Sequence, residues 1–74
     1  MQTEKIKITT EYIKLDQLLK FSGVAESGAE AKEMITVEIV SVNGEVCTMR
    51  GKKIRMGDKI SIEFEDEQLI IEVE

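Results

Sequence analysis

Histidine is absent from this chain of 74 residues, and Cys47 is its only cysteine. A single cysteine cannot form an intrachain disulfide, which points to a reducing compartment. Without histidine or a second cysteine, the sequence offers neither a zinc-type ligand cluster nor a general base beside the Cys47 thiol. These absences argue against most hydrolytic and metal enzymes, so we expect no catalytic residues, no bound metal and no cofactor.

Long apolar runs are also missing, as are the glycine patterns of nucleotide-binding loops. No stretch approaches the roughly 20 apolar residues of a membrane-spanning helix, and residues 1–10 lack the apolar centre of a signal peptide. No phosphate-loop or dinucleotide motif is present. We therefore expect a cytoplasmic protein without a membrane contact or a small-molecule substrate.

Aromatic residues make up only 4% of the chain, whereas apolar residues make up 42%. Ile, Val and Leu must therefore build the core, and their content exceeds that of disordered chains. A chain of this length buries only about 60% of its unfolded surface, which limits it to one domain. We expect residues 1–74 to form that domain and to act as a monomer.

The first half of the chain carries the spacing of a strand followed by a helix. Alternating apolar residues predict a short edge strand over residues 5–9. Leucines at three-and-four spacing predict a helix over residues 14–22, with Gly23 as its left-handed C-terminal cap. We place Phe21 in the core.

A second helix is predicted directly afterwards. Ser27 and Glu30 have the spacing of a capping box, which marks a helix start. Ala31, Met34 and Ile35 form its apolar stripe. The two short helices are thus joined by a tight connection, as in a helix-turn-helix.

From residue 39 the apolar period changes to two, which predicts strands. Asn43-Gly44 favours a two-residue hairpin turn, because both central positions need a positive φ. The return strand is expected over residues 45–49, with Cys47 half-packed in it.

Residues 50–55 are read as a polar, basic connection closed by a turn at Gly57-Asp58. A second hairpin over residues 60–74 has an acidic turn. The fold class predicted is α+β, with two short helices packed on a small antiparallel sheet of about four to five strands.

The net charge of −5 is unevenly distributed along the sequence. Charges cancel over residues 1–13, eight basic residues face seven acidic ones over residues 14–59, and residues 60–74 hold six acidic residues with no basic one. Exposed charges further apart than about 8 Å are largely screened at physiological salt, so the acidic end need not cancel a basic patch elsewhere. That patch comprises Arg50, Lys52, Lys53, Arg55 and Lys59.

Three segments stand in the order and spacing of one family's motifs: residues 14–19 (KLDQLL), residues 27–35 (SGAEAKEMI) and residues 40–44 (VSVNG). They resemble Arg-Leu-Asp-x-x-Leu, Ser-Arg-Ser-x-Ala-Arg-x-Leu-Ile and Val-x-Val-Asn-Gly of the S-four RNA-binding domain, named after small-subunit ribosomal protein four. The resemblance covers residues 12–64, and the basic connection is similar to that of small standalone bacterial members.

The resemblance implies the alpha-L fold of that family and binding to structured RNA, often ribosomal, through the two-helix face and the adjacent basic loop. Ribosomal proteins are further candidate partners. Basic side chains would contact phosphates, and the free N–H groups at a helix start would add a phosphate site. Tyr12 is the one candidate for stacking on a base. The candidate RNA-binding residues are Lys14, Lys20, Ser27, Gly28, Lys32, Arg50, Lys52, Lys53 and Arg55.

The sequence departs from the family pattern at several positions. Gly28 stands where many members have Arg, Thr36 where a basic residue is common, and Glu38 where glycine is frequent. Lysine replaces arginine at Lys14 and Lys32. Fewer guanidinium groups mean less bidentate phosphate recognition, so we expect modest affinity or dependence on a ribosomal context.

RNA binding has three alternatives. The acidic hairpin could make the chain a protein-interaction module that meets a basic partner. A sulfur-carrier-like protein is disfavoured, because the sequence ends Glu72-Val73-Glu74 rather than in paired glycines. The basic run at residues 50–59 could also be a solvated face without a ligand.

Overall fold

The computed structural model describes residues 2–74 and confirms the α+β class. Within those residues, no helix has the length and apolar character needed to cross a membrane. The elements, in chain order, are β1 (Gln2–Ile6), β2 (Ile13–Lys14), α1 (Leu15–Phe21), α2 (Gly28–Thr36), β3 (Val40–Val42), β4 (Glu45–Val46), β5 (Lys53–Ile54), β6 (Lys59–Glu63) and β7 (Gln68–Val73).

The main sheet has five strands in the order β1-β7-β6-β3-β4. The first strand lies at an edge, as predicted, but it covers Gln2–Ile6 rather than residues 5–9. It pairs with β7 in parallel, from Gln2 opposite Leu69 to Ile6 opposite Val73, whereas the other pairs are antiparallel. A parallel pair needs a long crossover connection, and the helices with β2 to β6 supply it.

A second sheet of two short strands was not predicted. β2 pairs with β5 in antiparallel fashion, Ile13 opposite Ile54 and Lys14 opposite Lys53. The connection read as polar thus contains Ile54, whose side chain is fully buried. Two residues are too few to show an alternating pattern, so no strand could be predicted here from periodicity.

Both helix predictions are confirmed, together with the predicted C-terminal cap of α1 and the predicted start of α2. Gly23 has φ +83°, and its N–H donates to the carbonyl of Lys20 at 3.1 Å. At the start of α2, the Ser27 hydroxyl accepts a hydrogen bond from the backbone N–H of Glu30 at 3.2 Å. Local capping chemistry therefore fixes the short connection between the helices.

One hydrophobic core joins the helices to both sheets. The predicted apolar stripes of α1 and α2 are buried in it. Phe21, however, is 66% exposed, so its placement in the core was wrong. At about 100° per residue, Phe21 lies on the flank of the leucine stripe, about 60° around α1 from Leu18, and there its ring faces solvent. Fully buried core residues include Leu15, Leu18, Leu19, Ile35, Val40, Ile54, Ile60, Ile62 and Ile71.

The two predicted hairpins are present. Asn43 and Gly44 have φ of +51° and +89°, as the tight turn requires. The return strand β4 ends at Val46 rather than residue 49, so half-buried Cys47 packs against the core just beyond it. Phe64 and Glu67 close the second hairpin through a backbone hydrogen bond of 2.8 Å.

Candidate nucleic-acid interface

Backbone pairing brings four of the predicted site residues to the start of α1. Lys14 of β2 lies opposite Lys53 of β5. The ladder continues into the helix, because the N–H of Leu15 donates to the carbonyl of Lys52 at 2.9 Å and the next N–H donates to the carbonyl of Arg50 at 3.1 Å. We call Lys14, Arg50, Lys52 and Lys53 the basic cluster.

Within the described residues 2–74, no carboxylate oxygen lies within 4.0 Å of a charged nitrogen of the basic cluster. Among residues 2–74, the one ion pair within 4.0 Å joins Lys59 to Glu72 at 3.9 Å. All four side chains of the cluster are exposed. Like charges directly opposite each other on paired strands are destabilising. The pair Lys14 and Lys53 therefore lowers the stability of the fold, and no neighbouring carboxylate within residues 2–74 compensates for this cost.

Tyr12 positions one of these lysines. The Lys53 ammonium lies 5.0 Å from the centre of the Tyr12 ring, a cation–π geometry. The contact leaves Lys53 exposed and restricts where its charge can lie. An incoming anion would thus meet a partly ordered ammonium group at this position.

Open clefts flank the basic cluster on two sides. One, of about 720 Å³, lies between the connection after β1 and α1, and its lining includes Tyr12, Lys14 and Phe21. The other, of about 470 Å³, lies between Lys52 and the β3–β4 hairpin. Of the four residues of the basic cluster, Lys14 lines the first cleft and Lys52 lines the second.

Lys20 and Arg55 lie next to the cluster rather than within it. Lys20 shares a groove with Ile13, Gln17 and Phe21 on the exposed side of α1. Arg55 directly follows β5, and its backbone N–H donates to the Asp58 carboxylate at 2.8 Å. Its side chain is exposed.

Three predicted site residues, Ser27, Gly28 and Lys32, belong to α2 and its cap. Over residues 2–74, no hydrogen bond or ion pair joins them to the basic cluster. The Ser27 hydroxyl is already engaged in capping, and the acidic residues Glu26 and Glu30 flank this helix start in sequence. A side chain added at Gly28 would meet nothing within 4 Å of its Cβ.

The acidic turn of the second hairpin is separated from Lys59 by the length of β6. The turn at residues 64–67 is at the end of β6 opposite to Lys59, about 13 Å along the strand at roughly 3.3 Å per residue. Lys59 was grouped with the basic patch in sequence. The structure instead sets it on the main sheet, opposite Glu72.

Asn43 and Asp58 do more than form turns. The Asn43 amide donates to the Asp58 carboxylate at 3.1 Å and accepts from the backbone N–H of Lys59 at 3.0 Å. These bonds tie the β3–β4 hairpin to the turn after β5, and so brace the strand that carries Lys53. Sequence reasoning missed this link because the two residues are far apart in the chain.

No arrangement of three or more His, Cys, Asp or Glu side chains suited to a metal ion occurs in the described part of the chain. The chemistry on offer is that of exposed ammonium and guanidinium groups beside two open clefts. Such groups bind anions through charge-assisted hydrogen bonds.

Comparison with known proteins agrees with the architecture. A family model described as the S4 domain, the S-four domain of the sequence analysis, matches residues 6–72. A protein of Bacillus subtilis (strain 168) named "Probable ribosome maturation protein RlbA" is 43% identical over 58 residues, which cover 78% of this chain and 82% of that protein. The chain belongs to the S4 domain family.

Proposed function

We propose that the chain is a non-catalytic RNA-binding module that docks on structured RNA, ribosomal RNA or a ribosomal subunit. The observation that carries the proposal is the pair Lys14 and Lys53, held opposite each other without a carboxylate partner. Membership of the S4 family supports an RNA-related role, and the name of the Bacillus relative supports a ribosome-related one.

The mechanism is backbone recognition. Each lysine or arginine that neutralises a phosphate releases condensed counterions, which supplies most of the non-specific binding energy. Double-stranded RNA is read largely by its shape and its phosphate and sugar contacts, which suits a surface with few aromatic residues. The basic cluster provides the first contact, and its net positive charge steers the anionic ligand away from the acidic hairpin.

The outlying residues complete the proposed interface. Lys20 and Arg55 extend the basic cluster on either side, while Lys32 and the helix start at Ser27 and Gly28 form a second phosphate contact on α2. In this proposal residues 1–74 act as one domain in the cytoplasm, where they meet ribosomal RNA and its proteins.

A salt titration tests the proposal. Fluorescence anisotropy measures binding to ribosomal RNA fragments or isolated subunits between 50 and 200 mM salt. The logarithm of the affinity should fall with the logarithm of the salt concentration, with a slope of about −0.7 to −0.9 per phosphate neutralised. The double variant Lys14→Gln with Lys53→Gln should make that slope less steep by the contribution of about two phosphates. Lys5→Gln, an exposed lysine of β1, is the matched control and should leave it unchanged. Equal effects of the cluster and control variants, or binding that ignores salt, would refute the proposal.

A second candidate is a protein-interaction module on the same scaffold. It is favoured by the exposed carboxylates of the β6–β7 turn, at Glu65, Asp66 and Glu67. Pull-down after nuclease treatment separates the two candidates. Partners that persist without RNA, and that are lost when these three residues become Gln and Asn, favour the second.

A further inference from the structure

Phe21 is an exposed aromatic ring on the solvent side of α1. Its side chain is 66% exposed, although the same helix buries three leucines. Gln17 lies one turn before it on the same side of the helix, and both residues line the cleft of about 720 Å³. A cleft of this size is within the range that takes ligands as large as a nucleotide.

The charges around this cleft favour an anionic occupant. Lys7 and Lys14 line it, opposed by Glu11 alone. Lys20 adds a third ammonium group in the adjoining groove, which also contains Gln17 and Phe21. The cleft thus combines two aromatic rings, Tyr12 and Phe21, with the amide of Gln17 and a surplus of positive charge, which matches a flat ring that carries phosphates.

We propose that the cleft holds one unpaired nucleobase of the bound RNA, stacked on Phe21. The inference rests on the proposed function, because the same RNA is already placed on Lys14 and Lys53. Lys14 lies about 10 Å from Phe21 along α1, at 1.5 Å per residue. Gln17, between them, offers donors and acceptors to the edge of the base.

Phe21, rather than Tyr12, provides the stacking surface. The ammonium of Lys53 already lies over the Tyr12 ring at 5.0 Å, whereas no cation–π contact to Phe21 occurs within residues 2–74. Base–aromatic stacking tolerates any base, so the cleft would select an unpaired nucleotide without selecting its identity. The preferred RNA is thus a duplex interrupted by a bulge or an overhang.

Two matched RNAs test the inference: a fully paired stem-loop, and the same stem with one bulged nucleotide. The wild-type chain should bind the bulged RNA about tenfold more tightly, a difference typical of one stacked base. Phe21→Ala and Phe21→Leu should abolish that preference and keep the affinity for the paired stem, whereas Phe21→Tyr should retain it. Phe64→Ala, at the other exposed phenylalanine, is the control and should also retain it.

The outcomes distinguish this inference from the proposed function. Binding to neither RNA overturns both. Equal binding to the two RNAs by the wild type overturns the nucleobase site alone. If Phe21→Ala still prefers the bulged RNA, the nucleobase site is also overturned. If that variant then loses association with RNA-free ribosomal proteins, the cleft is a protein site. A fluorescent 2-aminopurine at the bulge should change its emission when the wild type binds and show no such change with Phe21→Leu.

Discussion

Replacement of Glu38 by glycine is expected to stabilise this protein. Glu38 has φ +65° just after the C-terminal cap of α2, and its N–H donates to the carbonyl of Ile35 at 3.2 Å. The left-handed conformation costs a non-glycine residue about 1–2 kcal/mol, whereas glycine adopts it freely. In the S-four pattern that the sequence resembles, glycine is frequent at this position.

The net gain is smaller than the strain relieved. Glycine loses more conformational freedom on folding than other residues do, which lowers the gain in the free energy of unfolding by about 0.5–1 kcal/mol. We therefore expect the free energy of unfolding to rise by about 0.5–1 kcal/mol. For 74 residues, an unfolding entropy of about 2.1 cal/mol/K per residue converts this gain to a Tm about 3–6 °C higher.

Thermal unfolding followed by circular dichroism measures the change, with urea unfolding as a second determination. Glu33→Gly is the matched control, because Glu33 is an exposed glutamate inside α2. The same replacement there should lower the free energy of unfolding by about 1 kcal/mol, the helix cost of glycine. A loss of stability at both positions would refute the assignment of backbone strain to Glu38.

Three further predictions concern the interface and its support. Gly28→Arg, at a position with open space around the added Cβ, should tighten RNA binding and steepen the slope of log affinity against log salt by about 0.7–0.9. An unchanged slope in the anisotropy titration would place the start of α2 away from the RNA. Lys14→Glu should raise the free energy of unfolding by about 0.5 kcal/mol, because it turns a repulsive pair with Lys53 into an attractive one, and it should also weaken RNA binding. Urea unfolding measures the first effect and anisotropy the second, and a variant less stable than the wild type would contradict the repulsion between Lys14 and Lys53. Asn43→Ala should lower the free energy of unfolding by about 2 kcal/mol, and Asn43→Gly should lower it by about 1 kcal/mol. Both variants lose the hydrogen bond to Asp58, but only alanine is strained at the positive φ of this position, so equal urea midpoints for the two variants would exclude the strain.

Much of the candidate site was predictable as a set of residues but not as an arrangement. The sequence indicated which lysines and arginines are exposed, because charged side chains are rarely buried without a partner. It did not indicate that Lys14 and Lys53 are neighbours, nor that Lys59 lies opposite Glu72. Strand register depends on pairing between distant segments, and a two-residue strand carries too little pattern to reveal it.

Phe21 and Ile54 illustrate the same limit for the core. Both were assigned from local context, one as buried and one within a polar connection, and both assignments were reversed. The 100° helical step places Phe21 only about 60° from Leu18, at the edge of the leucine stripe, so local spacing alone does not decide whether its ring is buried. No local signal would have found Ile54, because its burial depends on pairing with Ile13.

The sequence by itself determined the elements whose causes lie within a few residues: the caps at Gly23 and Ser27, the turn at Asn43-Gly44 and the apolar stripes of the two helices. Those features follow from backbone φ preferences, side-chain hydrogen bonds and periodicity, which are local. Only the tertiary structure decided that β1 joins the sheet in parallel and that β2 meets β5. These pairings bring distant segments together, and burial of the shared core, rather than local preference, selects them.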